Sequence, residues 1–229
     1  MGLPPAGLEA LDASDLDDSV AESTLRDIAR TNALFGGHAA LQYGVKQLAR
    51  RLPATAPLTL LDVGAGSGAG MRRMRRVLGD RTYLTALDHH RTAARMCQRQ
   101  GITSIVGDMW HLPMQANSFD IVVVNQVLHH VPRADVVRMV AYLNAMARLG
   151  VVIADLRRSP LAVAGFRVAS GILRLHQVTR HDGQVSLRRG FTHSELKHII
   201  DEAGIKDGLV HRRPGWRLVA YWRTCNENG

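Results

Sequence analysis

Apolar and polar positions change period along this chain, and each change marks an element. Leu58–Val63 is apolar except at Thr59 and Asp62, the pattern of a strand buried on both faces. It runs through Gly64-Ala65-Gly66-Ser67-Gly68-Ala69-Gly70 into a segment with Met71, Met74, Val77 and Leu78 on one helical face. Ahead of it, residues 20–52 carry helical spacing, first at Leu25, Ile28 and Ala29 and then at Leu41, Val45 and Leu48. Phe35-Gly36-Gly37-His38 breaks that stretch into two helices. Beyond the glycines, strands are predicted at Thr82–Leu87, Ser104–Val106, Phe119–Val124 and Val151–Ala154. Helices at Thr92–Gln100 and Arg133–Arg148 separate them, the second stopped by Gly150. Strand alternating with helix predicts a parallel, doubly wound α/β sheet.

After residue 155 the alternation breaks. Pro160–Leu175 is helical and partly apolar, and Thr179–Gly183 has the composition of a loop. The apolar residues Leu161, Val163, Phe166, Val168, Ile172 and Leu173 suit either an oily or aromatic ligand or ordinary helix packing. Thr192-x-x-Glu195 is a capping box opening a helix to Ala203, closed by Gly204. Ile205–Val210 and Trp216–Trp222, joined through Pro214-Gly215, read as a terminal hairpin. Residues 1–19 hold four aspartates and no period, the pattern of a loose tail.

Composition narrows the function. The length, 229 residues, suits one α/β domain and is short for two. A balance of 29 basic against 20 acidic residues gives +9, which raises nucleic acid as a partner. The basic residues are nearly all arginine, however, with lysine only at 46, 197 and 206. Beside abundant Ala, Gly and Val, that bias reads as GC-rich coding more than as a selected patch. Cys97 and Cys225 lack the spacing of a zinc site or a disulfide framework, which fits a reducing, cytoplasmic setting. The N-terminus has no basic n-region. No apolar run approaches the ~18 residues of a membrane span.

The glycine turn carries the chemistry. Glycines at 64, 66 and 68 allow positive φ and clear Cβ atoms from a ligand's path. Gly64-x-Gly66-x-x-Ala69 also satisfies a dinucleotide fingerprint. Asp62 at the strand end would repel a pyrophosphate, but it suits a ligand bearing an ammonium and a sulfonium. A P-loop is excluded because no Gly-Lys-Ser/Thr follows. An acidic residue followed by G-x-G-x-G, here Asp62, Gly64, Gly66 and Gly68, resembles the first motif of the class I S-adenosylmethionine-dependent methyltransferases.

The resemblance covers about residues 58–154. It implies a Rossmann-like, mostly parallel seven-stranded sheet with an antiparallel last strand, in one domain spanning 1–229. Residues 20–52 would form a helical cap and 156–190 a lid insertion over the acceptor. The cofactor implied is S-adenosyl-L-methionine, leaving as S-adenosyl-L-homocysteine. Asp88, 24 residues beyond Gly64, would accept the ribose hydroxyls, a spacing that dinucleotide folds share. His89 follows it. Asp108 and Met109 match the residues that meet the adenine, and Asn125 ends the fourth strand beside the same site.

Methyl transfer is an in-line displacement, so alignment supplies much of the acceleration, and a base is needed only if the acceptor must lose a proton. His129-His130 after the fourth strand and Asp155 at the end of the fifth resemble natural-product O-methyltransferases, in which a histidine there is the proposed base. An unperturbed imidazole, near ~6.5, suits that task, although the pair could equally brace the turn. His181-Asp182 is a second candidate, but neighbours in a loop rarely face one another. No carboxylate cluster for a metal is evident. The expected partner is a small, apolar or aromatic methyl acceptor, with O-methylation favoured. An RNA-directed enzyme, a dehydrogenase and a non-catalytic cofactor-binding protein are the rival readings. The segment at Asn125 lacks the Asn/Asp-Pro-Pro-Tyr/Phe of base-amine methylases, and Asp62 disfavours the dehydrogenase.

Overall fold

The computed structural model describes residues 9, 17–50, 57–111 and 114–224. Most of the predicted tail, with Leu52, Leu112, Pro113 and Cys225, lies outside the described residues. Seven strands form one sheet: β1 (Leu58–Val63), β2 (Thr82–Asp88), β3 (Thr103–Val106), β4 (Phe119–Asn125), β5 (Ala147–Leu156), β6 (Leu209–Arg213) and β7 (Arg217–Trp222). Their order is β3-β2-β1-β4-β5-β7-β6. All pairs among β1 to β5 are parallel, and β7 runs antiparallel to both β5 and β6. The antiparallel last strand is therefore as expected.

Successive residues of β4 serve opposite faces. Val122 and Val124 pack with Met139, Val140 and Leu143 of α5 (Val136–Met146) and with Leu196 and Ile200 of α8 (His193–Glu202). Ile121 and Val123 pack with Leu41, Val45 and Leu48 of α2 (Gly37–Ala49) and with Met71 and Met74 of α3 (Ala69–Leu78). Two cores, one on each face, explain why these strands carry unbroken apolar runs.

The remaining helices are α1 (Asp18–Leu34), α4 (Arg91–Gln98), α6 (Pro160–Ile172) and α7 (Gln177–Arg189). The break between α1 and α2 falls at Phe35-Gly36, with Gly36 at φ 77°. The capping box at Thr192 and Glu195 forms as the sequence predicts. No helix among the described residues is long and apolar enough to cross a membrane.

Two predicted boundaries are corrected. Gly150 does not end a helix: α5 stops at Met146 and Gly150 is the fourth residue of β5. A Cβ there would overlap the carbonyl of Trp222, so pairing with β7 requires the glycine. The predicted loop at 179–183 lies inside α7. A Cβ on Gly183 would overlap the Phe166 ring, so this glycine lets α6 and α7 approach closely instead of turning the chain.

Candidate active site

In the order β2-β1-β4-β5, the sequence in which strands are added to the sheet reverses between β1 and β4, and ligands of open α/β sheets bind at that switch, beyond the strands' carboxyl ends. The register brings those ends level: Val63 pairs with Leu87 and with Val124, and Asn125 pairs with Ala154. Leaving β1, the N–H groups of Gly64 and Ala65 donate to the Leu87 carbonyl at 2.8 and 3.1 Å. Gly64, Gly66 and Gly68 have φ of 73°, 54° and 73°. A Cβ on Gly64 would overlap Val127, and one on Gly68 would come within 3.0 Å of Cys97 Sγ. Gly66 has only Leu25 nearby, at 3.6 Å, and opens onto a cavity of about 380 Å³. Gly68 does not line that cavity. Its part is to turn the chain and seat on Cys97, whose thiol burial pushes up to about 12.

Asp62 lines the cavity and is 3% exposed. Its Oδ1 has no hydrogen-bond partner among the described residues. Burial, reinforced by the nearby Asp88, pushes its carboxyl up to about 8. Asp88 accepts from Gly66 N–H at 2.8 Å through Oδ2 and from His90 N–H at 2.9 Å through Oδ1. These bonds aim the carboxylate across the glycine turn and leave lone pairs for hydroxyl donors. His89, 3.6 Å from Asp88, lines the cavity with Met109 and Asn125. Asn125 Oδ1 is buried without a hydrogen-bond partner among the described residues. Asp108 departs from expectation. It is exposed, lies off the cavity and turns back on its own loop, accepting from Trp110 N–H at 2.9 Å with His111 Nδ1 at 3.1 Å. The Trp110 bond holds its carboxyl below the usual range.

His129 and Asp155 meet as a buried pair. A short 3-10 turn, Leu128–His130, follows β4 and sets His129 Nδ1 at 2.7 Å from Asp155 Oδ1. Asp155 is fully buried and also accepts from Leu156 N–H at 2.6 Å and His129 N–H at 3.3 Å. Burial raises its pKa, but the His129 ring and these donors outweigh that and hold the carboxyl below its ordinary value. An ionised carboxylate can only accept, so Nδ1 carries the hydrogen, and in the neutral ring Nε2 would be the acceptor. Nε2 makes no hydrogen bond among the described residues, and His129 lines the cavity. His130 lies beside it with ring centroids 4.3 Å apart. His181 and Asp182 do face one another, Nδ1 to Oδ1 at 3.0 Å, as α7 holds them. Of the two, only Asp182 lines the cavity.

Three further residues complete the site without any motif to announce them. Glu9 lies 3.9 Å from His129 Nε2 and 3.7 Å from His130 Nε2, and accepts from Ser186 Oγ at 2.9 Å. With the two histidines it forms a set that could hold a metal ion. Arg189, 3.7 Å from the same carboxylate, already sets a cation against it. His38, in the first turn of α2, is pushed down to about 4 by burial and by Arg73, which keeps its ring neutral. Arg217 of β7 is 6% exposed. Burial lowers its pKa to about 10 against the pull of Asp155, and it stays cationic at neutral pH. The apolar wall comes from α1, the residue after it, α6 and α7: Leu25, Ile28, Phe35, Phe166 and Leu187.

Fold and site define an α/β protein with a cofactor cleft and an adjoining apolar chamber. Residues 61–164 match the profile of the family described as "Methyltransferase domain". A phthiotriol/phenolphthiotriol dimycocerosates methyltransferase of Mycobacterium leprae (strain TN) is 30% identical over 147 residues. That match covers 60% of this chain and 52% of the relative, so the chain spans about half the relative's length. Among solved structures, a SAM-dependent methyltransferase from Aquifex aeolicus superposes with TM-score 0.61 at 15% identity, covering 92% of this chain and all of that one. The plantazolicin methyltransferase BpumL, in complex with SAH, gives 0.65 at 12% identity, covering 90% and 96%. Residues 61–164 thus match a methyltransferase domain, and the chain shares its fold with solved S-adenosylmethionine-dependent methyltransferases.

Proposed function

We propose that the protein methylates a hydroxyl of a small, largely apolar acceptor, and that His129 is the general base. The observation that carries this is the buried Asp155–His129 pair, whose histidine lines the same cavity as Asp62, Gly66 and Asp88. S-adenosylmethionine, when bound, supplies a methyl group activated by its sulfonium. Asp62, a buried carboxylate with an unpartnered oxygen, would hold the ammonium, and Asp88 the ribose hydroxyls. Met109, His89 and Asn125 would line the nucleoside and the methionine end.

The chain's own residues then divide the work. His129 Nε2 takes the acceptor's hydroxyl proton as the oxygen gains the methyl carbon, and Asp155 stabilises the imidazolium that results. Arg217 favours negative charge developing on that oxygen. Leu25, Phe35, Phe166 and Leu187 exclude water, which strengthens each of these interactions. We read the chain as one methyltransferase domain in which 20–52 is the cap and 156–190 the lid. The acceptors named for the relatives, phthiotriol or phenolphthiotriol dimycocerosates and plantazolicin, are not nucleic acids, which supports a small-molecule acceptor.

Turnover of a phenolic acceptor across pH tests this. His129→Ala should lose about 10²–10⁴-fold in turnover, the usual worth of general base catalysis, with cofactor affinity nearly unchanged. Asp155→Asn should lose a comparable factor because it favours the wrong tautomer. The His129→Ala loss should shrink towards pH ~10, where a phenol ionises in water. Full activity in both variants from pH 6 to 10 would leave the pair as scaffold.

A further inference from the structure

We propose that the outer face of α6 docks the protein on an anionic lipid surface, with the acceptor chamber directly beneath the docked helix. Of the six apolar residues at 161–173, three point away from the cavity: Leu161 is 72% exposed, Val168 65% and Ile172 76%. They stand at i, i+7 and i+11, so at 100° per residue they form a single stripe. Ala164 and Gly171, also exposed, continue that surface without a charge. Monomeric proteins seldom present so continuous an apolar strip unless something covers it.

The charge around α6 favours a membrane as what covers it. Seven arginines and no lysine stand between residues 157 and 190; Arg158 pairs with Glu195 and Arg189 faces Glu9, and the one acidic residue within the stretch, Asp182, is buried. Arg167 lies one position round the helix from Val168, and Arg174 lies just past the helix end; both are exposed. An apolar stripe flanked by arginine is the composition of a helix lying in the plane of a bilayer, with guanidinium groups at the level of the headgroups and aliphatic side chains below them. A polyanion such as RNA would meet the arginines but would leave the stripe in water. The 13 residues of α6 are too few to span a bilayer and enough to lie on one.

The opposite side of the same helix completes the arrangement. Ala162 and Phe166 face inward, and with Gly183 of α7 they line the chamber that holds His129. An apolar acceptor dissolved in a bilayer would then reach the site without crossing water. Docking itself does not depend on the proposed methyl transfer, and it can be measured with no turnover.

The full chain should co-sediment with vesicles of phosphatidylcholine and phosphatidylglycerol in equal parts. It should bind vesicles of phosphatidylcholine alone at least about tenfold less well, and rising salt should weaken the binding. Val168→Gln/Ile172→Gln keeps the net charge and the helix-forming tendency, and neither residue touches the cavity. This variant should lose about tenfold or more in partitioning onto the mixed vesicles, with its melting temperature and its affinity for S-adenosylhomocysteine unchanged. Absence of wild-type binding, or equal binding by the double variant, would overturn the proposal. So would a wild-type dimer at sedimentation equilibrium that the double variant converts to monomer, because a second copy of the chain would then be covering the face.

Discussion

Asp62 and Asp155 are both buried carboxylates at the ends of parallel strands, β1 and β5, with β4 between them, yet their surroundings drive them in opposite directions. Asp155 accepts from the His129 ring and two backbone N–H groups, and these hold it ionised despite its burial. Asp62 has an unpartnered Oδ1 and Asp88 nearby, and its pKa is about 8. One cavity thus has a fixed negative charge behind His129 and a proton-bearing carboxyl at Asp62, where the proposed ammonium would bind. At pH 6 the folded protein holds a proton on Asp62 that the unfolded chain has released. This residue's contribution to stability therefore falls as pH rises from the ordinary aspartate range through about 8. Binding of an ammonium must displace the same proton. Calorimetry of S-adenosylmethionine binding at pH 6 to 7, in buffers of different ionisation enthalpy, should show about one proton released per site. Asp62→Asn should abolish that release and weaken binding. Proton release unchanged in the variant would assign the proton to another group.

Glycine chemistry explains at the level of elements both what the sequence discloses and what it conceals. The strands β1, β2 and β4 are legible because their apolar runs answer to a core on each face, and the turn after β1 is legible because its glycines alternate. Gly150 and Gly183 mislead for one shared reason. Each is demanded by a partner distant in the chain, the Trp222 carbonyl and the Phe166 ring, so its local sequence imitates a helix stop or a loop. Glu9, His38 and Arg217 reach the cavity from three separate places in the chain, and without a spacing to tie them together no motif can reveal them. Asp108 shows the opposite case: it fits the family pattern, while its own turn holds the side chain off the cavity. Two glycines with similar backbones test how much the turn depends on contact as well as on φ. Gly204→Ala, at φ 82° with no atom within 4 Å of the new Cβ, should cost about 1–2 kcal/mol from the left-handed conformation alone. It should leave cofactor affinity intact. Gly64→Ala, at φ 73° against Val127, adds overpacking of about 1–3 kcal/mol and should weaken cofactor binding at least tenfold. Denaturant melts and calorimetry on the two variants check both outcomes. Equal losses would mean that φ alone governs the turn.

Across the whole molecule the cavity is roofed by segments far apart in the chain, and one carboxylate joins them. Asp27 of α1 is 8% exposed. Its Oδ2 accepts from His176 N–H at 2.7 Å and lies 3.4 Å from Thr179 Oγ1, both at the start of α7. A negative charge at that helix N-terminus is favourable in itself, because it meets the orphan N–H groups and the positive end of the dipole. The latch links α1 to α7, the segments proposed as cap and lid. On that reading ligands enter a chamber that these segments close, and separation of α1 from α7 is the motion that Asp27 opposes. Hydrogen bonds to a charged group contribute about 1.5–3 kcal/mol, a factor of roughly 10–100 in the opening equilibrium. Asp27→Ala should therefore speed amide exchange across Gln177–Arg189 by about that factor, while β1 and β4, at the centre of the sheet, keep their protection. Release of S-adenosylhomocysteine should accelerate with it, and Asp27→Asn, which retains an acceptor oxygen, should fall between the two. Unchanged exchange in α7 together with unchanged release would show that the cap and the lid are held by their apolar contacts at Leu25, Phe35 and Phe166, with Asp27 a bystander.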